Sequence, residues 1–288
     1  MNAHPLERPA LLRFGRLMAD GDFAGAEAGL RQALVPEPNL PLVHVALARL
    51  RWPGPGYRDW LAWLHHQLQP ALYVEIGVEK GESLALAQPP TRAIGIDPLP
   101  VGEPLARCTA PTQLYPMSSA DFFSSPPAGC SLHKQKLNLA FIDGDHRFES
   151  VLDDFIRLER WAAPGALIVL HDTLPLTALT ASPSRQSGFY TGDGWKIVPC
   201  LRGLRPQLRM VTLPVALTGL TLVTGLDPAS TLLTERREDI LATYAGLAAD
   251  QVVERPDFAA RPLGDNNFDW VRRWLNDSVR GAGVQSRN

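Results

Sequence analysis

The chain has 288 residues, 45% of them apolar and 20% charged, with a formal net charge of -2. That length and balance allow one substantial α/β domain with additions and a sizeable buried core. No basic or acidic block dominates, which argues against a nucleic acid or an anionic membrane as the main partner. The three cysteines, Cys108, Cys130 and Cys200, lie far apart and form no CxxC pair. Neither a disulfide framework nor a zinc knuckle is expected, and a reducing compartment fits. There is no basic segment followed by an apolar run near the N-terminus, and no apolar stretch nears the roughly 20 residues of a membrane-spanning helix. A cytoplasmic protein is expected.

Residues 1–56 read as a helical N-terminal extension. Leu11, Phe14, Leu17 and Met18 share one face, and Phe23, Ala26, Leu30, Ala33 and Leu34 share another. Gly21 and Asp22 separate the two runs, and Pro36 with Pro38 closes the second. The segment GDFAGAEAGLRQAL resembles part of a tetratricopeptide helix pair. Stable arrays need about three or more repeats, so the extension serves either packing, including self-association into a homo-oligomer, or the binding of a protein partner. Trp52 to Gly56 is a Pro/Gly-rich joint.

Residues 57–230 then form the main predicted domain. Tyr57–Leu68 has a helical apolar face of Trp60, Leu61, Leu64 and Leu68, stopped by Pro70. Strands are expected at Ala71–Gly77, Ala93–Asp97, Leu137–Asp143 and Ala166–His171, with a short helix at Glu82–Ala87 and a longer one through Arg147–Ala162. Met210–Pro214 and Gly219–Val223 are expected to pair as an antiparallel hairpin. Short apolar strands alternating with helices mean a doubly wound, Rossmann-like, mostly parallel sheet with both faces covered. Residues 231–288 read as a helical C-terminal extension, with helices near Glu235–Leu247 and Phe268–Val279. Trp270 and Trp274 lie four apart on one face of the latter, suited to docking on the core or on a second subunit.

Ligands of such sheets bind at the carboxyl ends of the strands. The first strand ends in YVEIGVEKGES, which has Gly77 and Gly81 but lacks the G-x-G-x-x-G that lets backbone N–H groups approach a pyrophosphate. Glu75 and Glu79 would oppose a phosphate and suit a ligand with a cationic end. S-adenosylmethionine (SAM) is such a ligand, with an ammonium, a sulfonium and no phosphate. Asp97, about 20 residues on, ends the second strand, where a carboxylate can accept both ribose hydroxyl protons. The pattern E-x-G-x-x-x-G-x-S, here Glu75, Gly77, Gly81 and Ser83, resembles the cofactor loop of class I methyltransferases of the catechol O-methyltransferase type. The resemblance implies that Glu75 and the backbone near Gly77 hold the methionine end and Asp97 the ribose. It also makes Ser119 and Asp121, in YPMSSADFF, candidates for the adenine pocket. A helix N-cap and a first-turn acid explain those two residues equally well.

The strands LNLAFIDGDHRF and ALIVLHDT each bring an aspartate, Asp143 and Asp172, to the same edge. Neighbouring strands lie about 5 Å apart, so two such carboxylates can share one hard cation. A divalent ion there would lower the pKa of a substrate hydroxyl. His146 is placed to take the proton near neutral pH, and His171 is a second histidine at this edge. FIDGDHRFESVLDDF followed by PGALIVLHDT, with TGDGWKIVPCLR later, resembles the methyltransferase family that includes macrocin O-methyltransferase-like and cephalosporin-hydroxylase-like enzymes. By that resemblance Asp143 and Asp172 are metal ligands, Asp143 also lies at the cofactor, and His146 is the general base. Thr173 stands where catechol-type enzymes carry asparagine, and Gly194 where relatives often carry valine. Asp145 is placed either to add a ligand oxygen or to cap the following helix. Asp193 and Lys196 form either a lid contact or an ordinary turn, and Trp195 either lines an acceptor pocket or packs. Asp153 and Asp154 are read as a solvated helix face.

The expected function is methyl transfer from SAM to a hydroxyl of a small molecule, in a natural-product or saccharide pathway, assisted by Mg2+ or another divalent cation. Three alternatives are a metal-independent N-methyltransferase of the same fold, a catalytically silent scaffold that uses the N-terminal helices, and a dinucleotide-dependent oxidoreductase, which the missing glycine pattern disfavours.

Overall fold

The computed structural model describes residues 4–250 and 263–282. Its centre is a seven-stranded sheet in the order β3-β2-β1-β4-β5-β7-β6. The strands are β1 (Leu72–Ile76), β2 (Arg92–Ile96), β3 (Thr112–Tyr115), β4 (Leu137–Ile142), β5 (Ala162–His171), β6 (Arg209–Leu213) and β7 (Leu220–Thr224). β1 through β5 pair in parallel, and β7 pairs antiparallel with both β5 and β6. All five residues of β1 and of β7 are buried, as expected where both faces of a sheet are covered. The doubly wound sheet and its antiparallel C-terminal hairpin agree with the sequence reading.

Eight of the helices decide the layers: α1 (Glu7–Ala19), α2 (Phe23–Ala33), α3 (Pro41–Arg51), α4 (Tyr57–Leu68), α5 (Ser119–Ser124), α6 (Phe148–Trp161), α7 (Ile197–Leu204) and, after the short α8 (Leu232–Glu235) and α9 (Arg237–Tyr244), the C-terminal α10 (Phe268–Ala282). On one face of the sheet, Phe148, Leu152, Phe155 and Leu158 of α6 pack with Ile197 and Leu201 of α7 on Val74, Ala140 and Ile168. On the other face, Trp60, Leu61 and Leu64 of α4 join Tyr73, Phe141 and Val169, with Trp270 and Trp274 of α10 against them. The two tryptophans therefore dock on the core.

The extension at residues 1–56 also packs on this domain. Leu30, Leu40, Val43 and Leu47 share a cluster with Leu176 and Phe189 from the segment that follows β5. Glu7, 2% exposed, reaches from α1 to the start of α3, where its carboxylate accepts the Leu42 N–H at 2.9 Å. A carboxylate satisfies an otherwise unpaired N–H there and complements the helix dipole. Among the described residues, no helix is long and apolar enough to cross a membrane.

Several local expectations needed correction. Glu82–Ala87 is not a helix but a single 3-10 turn at Leu84–Leu86, since too few residues separate Gly81 (φ +75°) from the Pro89-Pro90 pair. β5 begins at Ala162 rather than Ala166, and its register against β4 slips between Leu137 and Leu139 to absorb the Pro164-Gly165 turn. The helix expected at Glu235–Leu247 is broken at Arg236 into α8 and α9. β3 and α7 lie where no element was expected.

Below the sheet, Arg205 and Glu159 form a buried bidentate pair, with both N···O distances 2.8 Å. Truncating one partner strands the other charge, at a cost of about 3–5 kcal/mol. Arg205→Ala is expected to lower stability by that amount in urea unfolding. The apolar double replacement Glu159→Leu/Arg205→Met should recover most of it.

Candidate active site

The carboxyl edge of the parallel strands opens into a cavity of about 1790 Å³. Pockets that hold one drug-sized ligand measure roughly 300–1,000 Å³, so this one has room for two. The residues that line it follow the sheet order: Ser118 to Ala120 beyond β3, Asp97 after β2, Gly77 to Glu79 after β1, Asp143 after β4 and Asp172 after β5.

The loop after β1 is shaped from two sides. Gly77 takes φ +88°, and a Cβ there would lie 2.0 Å from the Asp143 carbonyl oxygen. Gly81 takes φ +75°, and a Cβ there would meet the Pro104 carbonyl oxygen at 2.0 Å. A side chain at either position is excluded by sterics and by the left-handed backbone. Asp97 holds the loop: its Oδ2 accepts the Val78 and Glu79 N–H groups at 2.9 and 2.8 Å, and its Oδ1 accepts the Leu99 N–H at 2.7 Å.

Glu75 lies elsewhere than expected. It is fully buried, accepts hydrogen bonds from Tyr73 Oη (2.5 Å) and Ser83 Oγ (2.7 Å), and is absent from the cavity wall. Burial pushes its carboxyl up to about 8, against the two hydrogen bonds, which pull it down. It braces the loop from behind, and Ser83, which does line the cavity, is its partner. Gly81 also lies off the wall.

At the far end, Ser119 lines the cavity and its Oγ donates to Asp154 Oδ1 at 2.5 Å. Asp154 is 4% exposed, which overturns its assignment to a solvated helix face. Burial raises its carboxyl to about 6, against Ser119 and Arg157. The signal was available in the sequence: Asp154 lies three residues after Val151 and four before Leu158, the spacing of one helix face, and both of these are buried. Asp153 pairs instead with Arg237 at 2.7 Å. Asp121 is not on the cavity wall; it accepts the Ser118 hydroxyl at 2.6 Å, and Ser118, not Ser119, caps α5.

At the other end, four groups converge. His146 Nδ1 donates to Asp172 Oδ2 at 2.5 Å. His171 Nδ1 lies 2.9 Å from Asp143 Oδ1 and 3.3 Å from Asp172 Oδ1. Burial lowers the His171 pKa, but Asp143 and Asp172 outweigh it and bring it to about 9. Burial also lowers that of His146, and its bond to Asp172 more than offsets this, leaving it above the ordinary value. Asp172 falls below the usual carboxylate range, since the two imidazoles outweigh its burial. His146 and Asp172 have φ of +51° and +56°. Left-handed backbone in residues other than glycine costs on the order of 1–3 kcal/mol and clusters at functional sites. Asp143, His146 and Asp172 also present ligand atoms that all lie within 4.8 Å of one another. Two carboxylates and an imidazole form a donor set that fits a divalent cation.

The surrounding sequence candidates have structural roles. Asp145 is held by Arg147 (2.7 Å) and Ser150 (2.6 Å). Asp193 accepts the Phe148 N–H at the start of α6 and pairs with Lys196 at 2.9 Å, both side chains buried, so the GDGWK turn is a clamp rather than a lid. Trp195 is fully buried and absent from the cavity wall, and it packs with Ala181. Thr173 Oγ1 accepts from Thr221 inside the sheet.

Residues 74–173 match the family model of a methyltransferase domain. That span runs from within β1 to just past β5 and contains the whole edge from Glu75 to Asp172. The match covers about a third of the chain, and the strand order around it is that of the doubly wound sheet expected from the sequence. No curated protein matches the chain. Solved structures similar in fold include cofactor-bound Rv0187 from MTB, at 18% identity over 65% of this chain and 90% of that one, with a TM-score of 0.46. Another is the O-methyltransferase TomG from Streptomyces achromogenes, involved in tomaymycin synthesis, solved with SAM (15%, 58% and 78%, TM-score 0.42). A third is the N-methyltransferase NodS from Bradyrhizobium japonicum WM9 (14%, 58% and 92%, TM-score 0.41).

The folded state holds the His171 proton up to about pH 9, whereas an unfolded histidine loses it near 6.5. Between those values the folded state binds more protons, so stability falls as pH rises. In chelator-treated protein, the urea midpoint is expected to decline from pH 6.5 to 9. His171→Gln should flatten that decline; an unchanged slope would remove the charge assigned to His171.

Proposed function

We propose that this protein transfers the methyl group of SAM to a hydroxyl of a small-molecule acceptor, with His146 as the general base. The observation that carries this reading is the His146–Asp172 pair on the wall of the cavity that the cofactor loop also lines. Methyl transfer is an in-line displacement, so the protein contributes alignment and a deprotonated acceptor oxygen. Gly77 to Glu79 receive the methionine end of the cofactor, Asp97 its ribose, and Ser119, backed by Asp154, its adenine. Asp172 fixes the orientation of the His146 ring and stabilises the imidazolium that forms when the ring takes the hydroxyl proton. Asp143 and Asp172 are the residues that would hold a divalent cation, which would supply Lewis acidity toward the acceptor oxygen and leave the free nitrogen of His146 for the proton.

A deprotonating base works in its neutral form, so kcat/KM is expected to rise with pH through an apparent pKa above 6.5, as the raised His146 pKa requires. Radiolabelled methyl transfer to hydroxylated aromatic and saccharide acceptors, followed across pH, measures this. His146→Ala should reduce the rate by about 10²–10⁴-fold with little change in S-adenosylhomocysteine affinity. Loss of activity with a chelator and recovery with Mg2+ would support the cation. Product labelled at nitrogen, with no hydroxyl product, would replace hydroxyl transfer by amine transfer.

A further inference from the structure

The cavity extends well past the strand-end edge, and its remaining wall comes from outside the sheet. Leu42, Val45, Arg49 and Trp52 on and after α3 all line it. They are spaced three, four and three residues apart, the repeat of one helix face. The other face of α3, with Val43, His44, Leu47 and Ala48, is the buried one. The extension therefore uses one side of α3 for packing and turns the other to the cavity.

Packed against α3, residues 185–190 join that wall to the base. Phe189 stacks on His44 of α3 with ring centroids 5.4 Å apart, and Tyr190 meets His146 edge-on at 5.8 Å. Arg185 lies over the Tyr190 ring at 5.3 Å. The cavity's cations divide sharply. Arg58, Arg147 and Arg157 are paired with Glu82, Asp145 and Asp154. Arg49 and Arg185 have no carboxylate partner among the described residues, and Lys80, the remaining cation, sits on the cofactor loop. Cofactor-side acids such as Asp97 and Asp143 lie at the strand ends; the two unpaired guanidiniums lie on the apolar wall beyond the base.

We propose that the face of α3 carrying Leu42, Val45, Arg49 and Trp52, together with residues 185–190, is the acceptor subsite. Its substrate is a hydroxylated molecule with an apolar or ring body and an anionic group, carboxylate or phosphate, held by Arg49 and Arg185. This rests on the methyltransferase reading above and adds the class of acceptor. A guanidinium recognises carboxylate and phosphate in a two-point geometry. The apolar residues beside it provide surface for the body of the ligand. Anchoring at Arg185 places the acceptor one ring contact from Tyr190 and two from His146, so binding of the anion positions the hydroxyl near the base.

The full chain, loaded with S-adenosylhomocysteine, is titrated with matched pairs of compounds by calorimetry. One arm pairs hydroxybenzoates and hydroxycinnamates with their neutral methyl esters; the other pairs sugar phosphates with the parent sugars. Anionic members of at least one arm are expected to bind tenfold or more tightly than their neutral partners, and the arm that responds identifies carboxylate or phosphate. Arg49→Gln and Arg185→Gln should each reduce that preference to about twofold. Val45→Trp, which fills the apolar wall, should abolish acceptor binding. All three variants should keep S-adenosylhomocysteine affinity within twofold of the unaltered chain. Equal binding of charged and neutral members, binding by neither, or a preference that survives both arginine variants would overturn the proposal. Failure of the unaltered chain to bind S-adenosylhomocysteine would overturn the methyltransferase reading instead, and the two failures are separable.

Discussion

Two loops approach so closely at the centre of the sheet edge that neither can be built without the other. The backbone after β1 passes the start of the loop after β4 with no room for a Cβ at Gly77, and the Asp143 N–H donates to Ile76 O at 2.9 Å. This contact sits where β1 lies between β2 and β4, the switch point of a doubly wound sheet, and it fixes the cofactor loop against the aspartate of the chemical end. Asp97 fastens the loop from the β2 side with two backbone hydrogen bonds, and Glu75 with Ser83 fastens it from below. A loop held from three directions is already shaped before a ligand arrives, which removes ordering cost from binding.

The same edge concentrates charge. Asp143 and Asp172 would repel each other across neighbouring strands, and the His171 imidazolium placed between them offsets one of the two charges. That arrangement leaves His146 with one fixed ring nitrogen, bonded to Asp172, and directs its function through the other. A divalent cation and the His171 proton compete for the same carboxylates, so binding of the metal there would be linked to release of a proton. The left-handed backbone at His146 and Asp172 is the local strain that this convergence demands, and the Asp193–Lys196 clamp at the start of α6 is part of the scaffold that holds it.

Much of this was legible in the sequence because it rests on short-range pattern. Apolar runs ending in Gly77, Asp97, Asp143 and Asp172 mark four parallel strands and place their last residues at one edge. The strand Thr112–Tyr115 escaped notice because it is short, half-buried and at the sheet border, and carries Gln113 between Thr112 and Leu114. Glu75 was read as a cavity residue since alternation alone cannot say whether a strand-end acid faces the ligand or the layer beneath; Tyr73 and Ser83, two and eight residues away, decide that. Asp154 was lost to its neighbour Asp153, although a step of one residue on a helix separates solvent from core. The joining of the extension to the cavity was not legible at all: it depends on contacts between residues near 40 and residues near 189, and no local pattern encodes so distant a pairing.

The account stands on the loop at Gly77 and Asp97 being a SAM site. Calorimetric titration of the unaltered chain with S-adenosylhomocysteine, repeated with Asp97→Ala, tests this most directly. Saturable one-to-one binding in the micromolar range, lost in the variant, is the result the account predicts. Absence of binding to the unaltered chain, with and without added magnesium, would contradict it.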